Sequence, residues 1–91
     1  MEKITFEKPF KFEDKEYQEL QVDLDSLTGG DLIDAEKEAR LLGDIPGVSE
    51  LSKLYLACVV AKASKQPVEL IRALPAKEFT KATMVTQDFL L

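Results

Sequence analysis

Alternation of apolar and polar positions dominates the first quarter of the chain. In "YQELQVDL", residues 17 to 24, Leu20, Val22 and Leu24 fall on one side and Glu19, Gln21 and Asp23 on the other. That two-residue period belongs to a strand with one buried face. "ITFEKPFKF", residues 4 to 12, alternates less regularly, with Ile4, Phe6, Pro9, Phe10 and Phe12 imperfectly in phase. Between the two runs lies "EDKE", residues 13 to 16, a polar turn of hairpin length. The pattern predicts a β-hairpin over about residues 3–24. Pro9 has no N–H to give to a ladder, so the first strand is expected to break there or to lie at an edge.

Beyond this point the period lengthens to that of a helix. Residues 30–42 carry Leu32, Ala35, Ala39 and Leu42 at helical spacing, and Gly43 and Pro46 provide the stop. Residues 49–65 carry Leu51, Leu54, Tyr55, Cys58 and Val59 at i, i+3, i+4, i+7 and i+8. Leu56, Ala57, Val60 and Ala61 fill the other faces, so this helix is expected to be central. Pro67 opens a short helix through Leu74, since proline suits a first helical position. Pro75 separates it from a last helix that runs to about Leu90, with Leu74 and Phe79 at hydrophobic-staple positions. The expectation is a small α+β fold: an N-terminal β-hairpin, then three or four short helices over about residues 29–90, in a single domain spanning 1–91.

Composition narrows the function classes. A net charge of -5 disfavours nucleic acid and an anionic membrane surface as partners. The longest unbroken apolar run, "LYLACVVA" at 54 to 61, is far below the ~20 residues that cross a bilayer. "MEKITFEKPF" holds no apolar segment of the secretory type. Histidine is absent and Cys58 is the one cysteine, which removes the commonest general base and makes a zinc site within the chain unexpected. These features point to a cytoplasmic protein.

Each candidate for chemistry has a plainer reading. Gly29-Gly30 precedes a helix, but Asp31 and Asp34 follow at once and would repel a phosphate. The glycines are expected to let the chain turn from hairpin to helix. A calcium loop beginning at Asp23 and Asp25 meets Leu27 and Thr28 where a carboxylate and a glycine are required. Asp31, Asp34 and Glu38 share a helical face, yet Lys37 and Arg40 are interleaved, and a solvated charged face is expected. Cys58 sits in "LACVVA", where burial makes a thiol inert. No catalytic constellation, cofactor site or metal site is read from the chain.

Two apolar features remain. In "RLLGDIPGV", Leu41, Leu42, Ile45 and Val48 cluster around a loop, where apolar density suggests a partner-binding surface. In "TQDFLL", Phe89, Leu90 and Leu91 close the sequence without a polar residue. Such an ending is tucked into the core, given to a partner, or continued in a longer form.

In the order of "ITFEKPF", "YQELQVDL", "LTGGDL" and "PVELIRALPAKEFTKATMVTQDFL", the chain resembles the phage tail assembly chaperones, small tail proteins of contractile-tailed phages and prophages. The acidic first helix departs from many members. The resemblance implies a non-catalytic protein of the host cytoplasm. It would bind the apolar, helical tape measure protein and keep it soluble until the tail tube polymerises. The tail tube protein is a second implied partner, and a homo-oligomer would multiply weak contacts along a long client. Leu41, Leu42, Ile45, Val48, Phe89, Leu90 and Leu91 are the expected client-binding residues. Two alternatives stay open: an acidic regulatory or inhibitor protein acting by protein binding, and a structural tail subunit.

Overall fold

The computed structural model describes residues 2–43 and 52–91. It begins with an antiparallel hairpin, β1 (Glu2–Phe12) and β2 (Lys15–Val22), followed by a 3-10 turn over Leu24–Ser26. Helices α1 (Gly29–Leu41), α2 (Lys53–Ser64), α3 (Val68–Ala73) and α4 (Ala76–Leu90) complete the order. The fold is therefore α+β, a hairpin packed on helices, as the periodicities predict.

The hairpin pairs Ile4 with Leu20 near its open end and Phe10 with Tyr17 near its tip. Between them the register shifts. Thr5 faces Glu19 and Phe10 faces Tyr17, so residues 6–9 of β1 stand opposite Gln18 alone. This bulge absorbs Pro9, whose missing N–H would interrupt a regular ladder. Beyond the bulge Phe10 pairs with Tyr17, and both are partly buried against the core. The polar turn is shorter than "EDKE": Glu13 and Asp14 alone form it, both at positive φ, and Lys15 is already in β2.

The joint between hairpin and helix is built differently from the glycine hinge expected. Gly29 and Gly30 are the first residues of α1, and neither has a positive φ. The direction changes at the 3-10 turn and at extended Leu27 and Thr28. Thr28 then caps α1: its Oγ1 accepts from the Asp31 N–H at 3.3 Å, and its own N–H donates to Asp31 Oδ2 at 2.9 Å. This reciprocal capping box satisfies two amides that the helix start would otherwise leave unpaired. At the other end Gly43 adopts φ 111°, a conformation glycine reaches without a Cβ penalty.

Helix α2 is the centre of the fold. Tyr55 through Ala61 are all buried, and α1, α3, α4 and β2 pack around it. Val59 and Val60 are fully buried, each contributing about 1.5–3 kcal/mol relative to exposure. The helix begins at Lys53 because Ser52 caps it, with Oγ accepting from the Tyr55 N–H at 3.0 Å. Residues 49–51 of the expected helix lie outside the described residues. Ala35 and Ala39, both fully buried, form the packed face of α1.

The hydrogen bonds and cleft linings set the helix directions. The Asp23 N–H donates to Ala63 O at 3.0 Å, tying the open end of the hairpin to the close of α2. Helix α1, which follows, therefore runs back antiparallel to α2. Leu54 and Phe79 line one cleft, so α4 starts beside the start of α2 and runs parallel to it. Among the described residues, no helix is long and apolar enough to cross a membrane.

Candidate partner-binding surface

The helix directions give α2 two unlike ends. Its start lies beside the close of α1 and the start of α4. Its close lies beside the 3-10 turn, the open end of the hairpin and the close of α4.

Leu41 and Leu42 lie at the first of these ends. Leu41 is 87% exposed because it lies off the face that Ala35 and Ala39 pack. Leu42, expected to continue that face, is exposed because α1 ends at Leu41 and Leu42 is its C-cap. Ile45 and Val48 lie outside the described residues. The same end holds a shallow cleft of about 390 Å³, lined by Leu54, Ala57, Leu74, Ala76, Phe79 and Arg72. Leu74 and Phe79, the expected staple pair, both contribute to it.

Phe89 and Leu91 lie at the second end and are exposed, Leu91 by 81%. Leu90 differs from its neighbours: it is half-buried and packs against the core. The apolar ending is thus divided between tucked and open positions. The expected client-binding residues do not form one patch. Leu41 and Leu42 stand at the close of α1, whereas Phe89 and Leu91 stand at the close of α4, toward the opposite end of α2. Two further exposed apolar residues, Ile33 on α1 and Met84 on α4, were not anticipated. Ile33 is 60% exposed and stands two turns before Leu41 on the solvent side of α1. Its signal was present as an i, i+8 spacing outside the Leu32, Ala35, Ala39 stripe.

The second end also holds a groove of about 310 Å³, lined by Glu2, Val22, Leu24, Asp25, Val85, Asp88 and Phe89. Val22 and Leu24 follow the strand alternation and form its floor. Val85, Asp88 and Phe89 share one face of α4 at i, i+3 and i+4. No cation lines the groove.

Where α4 starts, the polar chemistry is closed. The bulge in β1 turns the Glu7 N–H toward α4, where it donates to Glu78 Oε2 at 2.8 Å. Glu78 is only 4% exposed, and Lys81 Nζ lies 3.3 Å from its other oxygen. On the surface Lys77 Nζ pairs with Glu7 Oε1 at 2.8 Å. Lys77 holds the Glu7 carboxyl below its usual range, through hydrogen bonding first and charge second, and Glu7 raises Lys77 in return.

The other candidates fall into structural roles. Asp31 is spent on the α1 cap, while Asp34 and Glu38 are exposed and make no ion pair among the described residues. Cys58 is fully buried. No group of three or more acidic or cysteine side chains among the described residues is gathered closely enough to hold a metal ion. In comparison with known proteins, the chain matches no family model, no curated protein and no solved structure.

Proposed function

We propose that this protein is a non-catalytic chaperone of phage or prophage tail assembly. It holds the tape measure protein soluble in the host cytoplasm before the tail tube forms around it. The observation that carries this reading is the exposure of large apolar side chains at both ends of the central helix of an acidic domain. Leu41 and Leu42 lie at one end, Phe89 and Leu91 at the other. Separated apolar patches suit a client that is long, apolar and helical. The net charge of -5 keeps such a complex dispersed. The identity of the client comes from the sequence resemblance. Several copies bound along one client, or associated with each other, would add avidity to weak individual contacts.

The unpaired carboxylates favour a second reading, an acidic regulatory protein that captures a basic partner by charge. Salt separates the two, because exposed charge pairs are screened and apolar contacts are not. The test is co-expression with the tape measure protein of the same phage or prophage, then co-purification at low and high salt. The chaperone reading expects a soluble complex that persists in high salt and is lost in Leu41→Asp and Leu91→Asp variants, whose exposure leaves the fold intact. A tape measure protein that stays aggregated in the presence of this chain overturns it.

A further inference from the structure

The groove at the close of α4 combines two chemistries that select one class of occupant. Its floor is apolar: Val22 and Leu24 lie beneath, Val85 beside them, and Phe89 offers an exposed ring at the edge. Its rim is acidic: Glu2, Asp25 and Asp88 come from the start of β1, the 3-10 turn and α4. None of the three makes an ion pair among the described residues. Lys3, the cation nearest in sequence, lies on the opposite side of β1 and pairs with Glu19. The volume of about 310 Å³ is at the small end of the range for ligand clefts, roughly 300–1,000 Å³. That space suits a side chain better than a large free ligand.

We propose that this groove receives a lysine or arginine side chain carried on an apolar partner helix. A basic side chain has the matching construction. Its methylene stem covers the apolar floor, while its charged head reaches the carboxylates and lies against the Phe89 ring. The partner helix then rests its apolar face on Phe89 and Leu91. The inference rests on the client-holding reading above and specifies it: the client places a basic residue beside its apolar stripe, and this end of the chaperone reads that residue. Apolar contact supplies the salt-resistant part of binding, and the groove supplies register and orientation.

The test uses the full chain and two synthetic peptides of about 18 residues, long enough to form a helix. One is an amphipathic leucine–lysine peptide, and the other is its twin with every lysine replaced by glutamine. Titration calorimetry is expected to give the lysine peptide about tenfold tighter binding, a difference of about 1.4 kcal/mol. Amide shifts in an NMR titration are expected at Val22, Leu24, Val85 and Phe89. The Asp25→Asn/Asp88→Asn double variant is expected to lose that tenfold advantage. The Asp34→Asn/Glu38→Gln double variant makes the same change in net charge on α1 and is expected to keep it.

Equal affinity for the two peptides in the wild-type chain overturns the proposal without recourse to any variant. Equal loss in the two double variants overturns it too, since bulk charge would then be the attraction. Self-association that disappears in the Asp25→Asn/Asp88→Asn variant assigns the groove to a second copy, through Lys62 or Lys65, and also overturns it. Failure of tape measure co-purification with positive peptide results removes the client reading and leaves a groove for a basic helix. Successful co-purification with equal peptide affinities removes the groove assignment alone.

Discussion

Strand β1 meets helix α4 at two places, and the carboxylates there have opposite surroundings. Near the start of α4, Glu78 is buried, accepts the Glu7 N–H at 2.8 Å and has Lys81 at 3.3 Å. Near the close of α4, Glu2, Asp25 and Asp88 stand around an apolar floor with no cation among them. A carboxylate removed from water needs donors or countercharge inside the protein: one Glu78 oxygen accepts the Glu7 N–H, and the other is buried without a hydrogen bond and is met by the Lys81 charge alone. Carboxylates without such donors must stay hydrated, so the second place remains an open groove. The same residue type therefore locks the hairpin at one end of the helix and leaves a receptive surface at the other.

The largest expected effect comes from breaking the lock. Glu78→Ala leaves the Glu7 N–H without its acceptor and is expected to cost about 2–3 kcal/mol, a large share of the stability of a small domain. Glu78→Gln keeps an acceptor oxygen and is expected to cost roughly half as much. At the open end, Asp25→Asn and Asp88→Asn are expected to change stability by no more than about 0.5 kcal/mol each. Urea midpoints for these variants decide the matter. Open-end variants as destabilised as Glu78→Ala would erase the distinction between the two ends.

A middle-sized effect is expected at the joint leading from the open end into α1. The reciprocal Thr28–Asp31 cap is the polar device that fixes where α1 begins. Thr28→Ala removes the acceptor for the Asp31 amide and is expected to cost about 1 kcal/mol. Hydrogen exchange sharpens the result. The amides of Asp31 and Leu32 should exchange faster, while those of Val59 and Val60 in the middle of α2 should change only by the global loss of stability.

These devices differ in how visible they are in sequence. The alternation of Leu20, Val22 and Leu24 and the all-round apolar surface of α2 are local patterns, and the structure follows them. Leu41 and Leu42 could be singled out as apolar residues beside a loop, and Phe89 as part of an apolar ending. The bulge in β1 could not be read, beyond the disturbance at Pro9. Its anchor, Glu78, lies 71 residues from Glu7 and sits in "AKEFTK", which reads as an ordinary solvated helix start. The open groove was hidden for the same reason: its lining comes from β1, β2, the 3-10 turn and α4, and no single segment carries its pattern. The glycine pair marked the position of the hairpin-to-helix joint, but the turning itself belongs to the residues before it.

The smallest expected effect concerns the Glu7–Lys77 pair on the outside of the lock. Both groups are solvent-exposed, so the pair adds little to stability and is screened by salt. Its pH dependence nevertheless has a definite sign. Glu7 is lowered in the folded chain, so its contribution is present above the usual carboxylate range and is lost as pH falls through the lowered folded value. Lys77 is raised, so its contribution is present below the usual lysine range and is lost as pH rises through the raised value. A Glu7→Gln variant keeps the backbone N–H that binds Glu78 and removes only the surface charge. Its urea midpoint should fall slightly below that of the wild type at neutral pH and converge with it as pH falls below the lowered Glu7 value. The difference should shrink, without vanishing, at about 1 M salt, because the 2.8 Å contact lies within the roughly 3 Å screening length. A difference that persists once the Glu7 carboxyl is protonated would mean that Glu7 acts through the buried Glu78 contact rather than through its charge on Lys77, and the lock would then extend to the surface.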